Sequence, residues 1–453
     1  MTNQKNNNDM KKIIVSVCLL LAATAINAQK TCKDGGISAT MLQEIVKAQP
    51  SSTAEKALAN AIAQNKIDDL AKNYRNASGM TTKFNVETPS QSIHDQKQVV
   101  DFSQAYLFFY DQLEKANLML QGSIDNASKP IDDERVQFFF KNPINDGGTF
   151  CGVADLAEKY GLVPMQAMPE TYNSDNTSRM ARIISSKLRE YGLELRGMVA
   201  AKKKDAAIKQ RKTEMLGTIY HILALTLGEP TKEFSYTFRD SKGNAVGEAK
   251  TYTPKSFYDA TVGHKLNGTF IMVMNDPRRP YHKTYEVEYD RHTYDGTNWK
   301  YLNLPMDEIA QLAIASLKDG HKMYSSYDVG KQLDRKLGYM DLDNYDYGTL
   351  FGTTFPMNKA DRIATFDSGS THAMTLTAVN LDANGKPTEW KVENSWGASY
   401  GQAGCLIMSN RWFNEYMFRL VVSNEYVPET LLKEYEQKPL MVMPEDPLFG
   451  VDE

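Results

Sequence analysis

The chain changes character at Glu229-Pro230, and that change sets its fold class. Before it, apolar residues recur at helical spacing: Tyr106, Phe109, Tyr110 and Leu113 predict a helix from Phe102 to about Ile124. Ser52 to Tyr74 reads as an Ala-rich polar helix. Cys151 to Tyr160 resumes as a helix after the break at Asn145-Asp146-Gly147-Gly148, and Thr177 to Leu227 is a long charged helical stretch. After it the runs are short and β-rich. Phe234 to Phe238 and Tyr252 flank a Gly243-Asn244 turn, and Phe270 to Met274 and Thr284 to Tyr289 follow. Met306 to Leu317 interrupts them as a helix opening on Asp307 and Glu308, which suit the positive end of a helix dipole. Helices first and sheet later predict an α+β fold. No Pro/Gly/Ser linker separates the halves, so they read as two lobes of one body with an insertion between them.

Composition narrows the function classes. Hydrophobic residues make up 42% and charged residues 24% of 453, the mix of an ordinary globular protein. The formal charge is −4, and the first 28 residues hold three lysines and one aspartate, leaving −6 for the remainder. That acidity gives no support for nucleic-acid partners or anionic membranes. Lys11-Lys12, the apolar run Ile13 to Ala25 and the small residues up to Ala28 have the layout of a secretory leader, too short to span a bilayer. Residues 1–28 are therefore expected to be removed, leaving a chain that is periplasmic or secreted and has no membrane anchor. Its cysteines would be Cys32, Cys151 and Cys405, an odd and sparse set that makes no disulfide framework. The scattered histidines and lack of Cys-x-x-Cys or His-Glu-x-x-His point to no metal, and nothing implies a cofactor.

One hairpin carries candidate chemistry. Thr371 to Leu381 alternates as a strand, Asp382-Ala383-Asn384-Gly385 is turn chemistry, and Glu389 to Glu393 returns, with a further strand at Gly404 to Ser409. A turn centred near Ala383 sets His372 opposite Asn394, within hydrogen-bond reach. The amide oxygen of Asn394 could then accept from one ring N–H of His372 and aim the other nitrogen at a proton donor. Trp396 falls on the same face and could shield that bond. On geometry alone, a cross-strand polar pair without chemistry remains open.

The residues themselves go further. Thr371-His372-Ala373-Met374, followed by Trp390-Lys391-Val392-Glu393-Asn394-Ser395-Trp396-Gly397, resembles the His and Asn motifs of papain-like cysteine peptidases. Several other stretches are similar, in order, to the bleomycin hydrolase / aminopeptidase C branch. They are Phe102 to Phe109, Asn142 to Gly148, Lys159 to Pro164, Asn275-Asp276-Pro277-Arg278 and Asp328-Val329-Gly330-Lys331. The resemblance implies a papain-like two-lobe fold, a helical lobe plus an antiparallel sheet lobe with a helical insertion. On this chain residues 45–230 would form the helical lobe and insertion, 231–430 the β lobe and 431–453 a C-terminal arm, within a body of 29–453. It also implies peptide substrates, removal of N-terminal residues, and a homo-oligomer, a hexamer in that family.

By position, the resemblance makes His372 the base, Asn394 its orienting partner and Gln96 the oxyanion donor. Gly147 and Gly148 would line the substrate cleft. The C-terminal arm would lie in that cleft with Glu453 near a substrate's α-ammonium. One part of the pattern is missing. The family's Cys-Trp pair follows the oxyanion glutamine, yet no cysteine stands between Gln96 and Phe102, and no tryptophan follows a cysteine anywhere. The resemblance implies that the nucleophile-bearing segment is deleted between Gln98 and Val99. Cys151, at a helix start where a thiol pKa can fall, is the remaining candidate, although the alignment places it beyond the cleft glycines.

Overall fold

The computed structural model describes residues 37, 39–88, 100–240 and 242–449. The expected leader, Gln96, the Gln98–Val99 junction and Glu453 lie outside the described residues. The described chain forms two compact units: residues up to Lys72 with 349–351, and all the rest.

The first unit holds helices α1 (Ala39–Ile45), α2 (Thr53–Gln64) and α3 (Ile67–Ala71). Ser52 caps α2 in a capping box with Glu55, its side chain accepting from the Glu55 amide while Glu55 reaches back. The single helix expected from Ser52 to Tyr74 is thus broken at Asn65-Lys66.

In the second unit, the helical layer is built on α4 (Gln104–Asp125). Ser103 starts it by accepting from the Tyr106 amide. Tyr106, Phe109, Met119 and Leu120 are buried against Ile184 and Leu188 of α7 (Ser178–Ala200) and Ile219 and Leu223 of α8 (Asp205–Leu227). Burial of each such side chain contributes ~1.5–3 kcal/mol. Between them lie α5 (Glu134–Lys141) and α6 (Phe150–Tyr160). The helical stretch expected from Thr177 to Leu227 is present as two helices, because the chain turns at Ala201–Lys204 with Lys202 at φ +51°.

The other layer is a twelve-stranded sheet. Its strands are β1 (Val86–Glu87), β4 (Phe270–Met274), β5 (Lys283–Val287), β6 (Lys300–Asn303), β7 (Met323–Tyr327), β8 (Leu333–Asp334), β9 (Tyr339–Met340), β10 (His372–Leu381), β11 (Pro387–Glu393), β12 (Cys405–Ser409), β13 (Met417–Ser423) and β14 (Leu440–Val442). A separate hairpin, β2 (Phe234–Arg239) with β3 (Ala245–Tyr252), packs on Phe257. The order across the large sheet is β14-β5-β6-β4-β13-β7-β10-β11-β12-β9-β8, with β1 on β10. The sheet is mixed rather than wholly antiparallel, since β4/β6, β5/β14 and β9/β12 run parallel. Trp390, Phe413, Leu376 and Leu406 fill its core against α9 (Met306–Lys318). Among the described residues no helix is long and apolar enough to cross a membrane.

Candidate active site

The strand order sets the site. Central β13 is followed by β7, β10 and β11, and His372, the first residue of β10, lines a cavity together with Lys115, Leu118 and Met119 of α4. His372 pairs with Tyr327 of β7, and Thr371 N donates to the Tyr327 carbonyl. That ladder holds the imidazole's backbone from one side. From the other, His372 Nε2 lies 2.9 Å from Asn394 Oδ1. The expected pair is therefore assembled, but not by the expected register. Thr375 faces Glu393, two residues from the pairing that would set His372 directly opposite Asn394. The reason is the loop. It spans residues 382–386 and centres on Asn384, with the Asp382 carboxylate accepting from the Asn384 and Lys386 amides and Gly385 at φ +77°. Asn394 therefore reaches His372 diagonally, just past the last ladder pair, with its own N–H on the Gly404 carbonyl. Trp396 lies over the imidazole, ring centroids 5.2 Å apart.

A cavity of about 950 Å³ runs from His372 and Ser395, past Ser326 and Arg419, to Gly147 and Gly148. It brings His372 and the two glycines together in one cleft. Neither glycine has a positive φ, and a Cβ on Gly147 or Gly148 would meet nothing closer than 3.4 Å. The fold itself does not require glycine at these positions. Gln96 and Glu453 fall outside the described residues. The described end of the C-terminal arm does enter the cleft: Phe449 lines it, and the Leu448 carbonyl accepts from Ser370 N, two residues before His372.

The sequence reading missed the polar frame that holds the glycine loop. On the cleft side of α4, Asp111 and Lys115 are buried and 2.8 Å apart. Lys115 Nζ donates to the Gly147 carbonyl at 2.6 Å and the Asn145 carbonyl at 3.0 Å, and Gln112 Nε2 to the Asn145 carbonyl at 2.7 Å. Behind them His292 Nδ1 lies 2.6 Å from Asp111 Oδ1, and its Nε2 accepts from the Thr149 amide at 3.1 Å. Burial pushes the Asp111 carboxyl up, but Lys115 and His292 outweigh it and hold it below its ordinary range. His292 also explains Gly152, where a Cβ would lie 2.2 Å from the imidazole ring. No periodicity could have exposed this frame, because charged residues on a helix read as a solvated face.

Cys151 stands apart from His372. It is 1% exposed, 3.3 Å from the Thr149 hydroxyl, and lines a separate cavity of about 490 Å³ with Met272, Lys300 and Tyr435. Burial pushes its thiol up to about 12, the reverse of what helix-start placement predicts for a nucleophile. Cys405 is half-buried on β12 opposite Glu393, and burial raises it as well.

Comparison with known proteins agrees with this architecture. Residues 98–449 match the Peptidase C1-like family. Aminopeptidase C of Lactobacillus delbrueckii subsp. lactis is 34% identical, over 86% of this chain and 93% of that protein. Bleomycin hydrolase of Homo sapiens is 37% identical, over 78% of this chain and 79% of that protein. The crystal structure of PepW from Lactobacillus rhamnosis superposes with a TM-score of 0.86 at 34% identity, covering 92% of this chain and 99% of that one. The papain-like α+β architecture, the family match and these relatives place the chain in the Peptidase C1-like family, among the cysteine peptidases of the aminopeptidase C and bleomycin hydrolase kind.

Proposed function

We propose that this chain is a cysteine-type aminopeptidase by descent that binds peptides in the cleft between Gly147-Gly148 and His372 but does not turn them over. The observation that carries the reading is the assembled His372–Asn394 pair with no cysteine beside it among the described residues. With Asn394 Oδ1 on Nε2, the other ring nitrogen, Nδ1, is the one left for a thiol. In a complete site Nδ1 takes the thiol proton as sulfur attacks the scissile carbonyl. It returns that proton to the leaving amine, and water then releases the acyl group by the same route. By the resemblance, Gln96 would donate to the oxyanion. The glycines support a peptide ligand: the fold does not need them, whereas a substrate backbone approaching closely would.

The alternative within this reading is a homologue kept for assembly or peptide binding, and a homo-oligomer, by resemblance a hexamer, is part of the proposal. So is export, on the Lys11–Ala28 pattern, with a mature chain starting near Gln29. An epoxide probe for cysteine peptidases and an aminoacyl fluorogenic substrate test the central point. Neither labelling nor turnover is expected, while peptides should bind. Labelling at Cys151 with turnover would overturn it.

A further inference from the structure

The cleft holds a charge that nothing in the reaction uses. Arg419 lies on β13, opposite Ser326 of β7, which in turn faces Ala373 of β10. Two strand spacings, about 9–10 Å, therefore separate its backbone from the residue next to His372. The side chain lines the cleft yet the residue is only 7% exposed. Two rings hold it, Trp299 at 4.8 Å and Phe449 at 4.9 Å from its guanidinium carbon. Its Nε is buried with no hydrogen-bond partner, and no carboxylate pairs with it among the described residues. The neutral Tyr324 hydroxyl is its polar neighbour.

A guanidinium offers five donors and no acceptor, and a buried charge ordinarily has a partner. This one is fixed by aromatic packing and opens on a cavity large enough for a peptide. We propose that Arg419 is a carboxylate subsite of the cleft, so that peptides bearing a carboxylate two or three residues from His372 are selected. The proposal rests on the reading that peptides enter this cleft, and adds which ones. The spacing follows from about 3.3 Å per residue of extended peptide across 9–10 Å. A planar carboxylate matches the guanidinium fork in bidentate fashion. A second orphaned atom favours a peptide over a phosphate: Asp290 Oδ2, on the same cleft, is buried without a partner and calls for an N–H. A peptide brings both a carboxylate and N–H donors, whereas a phosphate brings no N–H to meet Asp290.

Binding of three labelled peptides of one length and apolar backbone to the full chain, followed by anisotropy, tests this. One is amidated and neutral, one is amidated with a single internal Glu, and one is a free acid without acidic side chains. The Glu peptide or the free acid should bind at least about tenfold more tightly than the neutral one, and which of them does identifies the source of the carboxylate. Arg419→Met should remove that advantage, so that the three peptides bind the variant alike. Equal affinity of the wild-type chain for all three overturns the subsite while leaving the peptide-cleft reading intact, and needs no variant to fold. Persistence of the preference in a folded Arg419→Met chain also overturns it. No binding of any peptide overturns both readings.

Discussion

His372 and Asn394 meet at 2.9 Å although the strands that carry them are registered two residues away from direct opposition. The contact is diagonal, made where β11 has just ended, so Asn394 is held by its own N–H on Gly404 rather than by the ladder. In a chain given the family's nucleophile segment, Asn394→Ala should lower kcat by on the order of 10²-fold and KM little, because the imidazole loses its orientation and not its substrate. His372→Ala should cost ~10⁴-fold or more. Steady-state kinetics on one aminoacyl substrate separates the two. Equal rates for Asn394→Ala and its parent would remove Asn394 from the site.

Cys151 should be chemically silent. Burial pushes its thiol well above the ordinary cysteine range, so the reactive thiolate is scarce at pH 8. Alkylation of the native chain followed by peptide mass spectrometry should modify half-buried Cys405 before Cys151, which should react only after unfolding. Faster labelling of Cys151 would contradict the burial argument.

The frame behind the glycine loop predicts a contrast between two substitutions. His292→Ala removes the contact on Asp111 Oδ1, whose other oxygen keeps Lys115, and leaves the Thr149 amide without its acceptor, at roughly 1–3 kcal/mol for each group. His292→Gln can donate to Asp111 and accept from Thr149 N, so most of that loss should be recovered. Urea unfolding reads the stability, and peptide affinity reads the loop. Indistinguishable alanine and glutamine variants would show that His292 merely fills space.

Asp328 should make stability depend on pH. Burial raises its carboxyl from 3.8 to about 6, against the Ser368 hydroxyl and Lys331, which lower it. The folded state thus holds this proton more tightly than the unfolded chain. Its contribution is complete below the ordinary carboxylate pKa of 3.8 and is lost as pH rises through about 6. A difference of that size is on the order of 3 kcal/mol at neutral pH. Asp328→Asn should therefore stabilise the chain at about pH 7.5 and change little at about pH 4, as denaturant midpoints at both values would reveal. A variant equally stabilised at both would point to another cause.

Periodicity carried the broad architecture. The spacing of Tyr106, Phe109 and Leu113 located α4, and the β-rich run after Thr371 located the hairpin, because one-sided burial imposes those periods. Register escaped, since it depends on whether the loop closes around Ala383 or Asn384, which side-chain hydrogen bonds from Asp382 decide. The break at Ala201–Lys204 escaped because nothing in its composition marks a stop; tertiary packing of α7 against α8 sets it. Asp111, Lys115 and His292 escaped for a different reason. A buried charge is recognisable only when its partner is known, and His292 is far along the chain from both.

The most direct measurement inserts a family-like Ser-Gly-x-Cys-Trp helix between Gln98 and Val99 and compares aminopeptidase turnover with that of the unmodified chain. The unmodified chain should show no turnover beyond a residual level. The inserted chain should gain both turnover and epoxide labelling at the new cysteine, and Cys151→Ala in that background should leave both intact. Ordinary turnover by the unmodified chain, abolished by Cys151→Ala, would contradict it and make Cys151 the nucleophile.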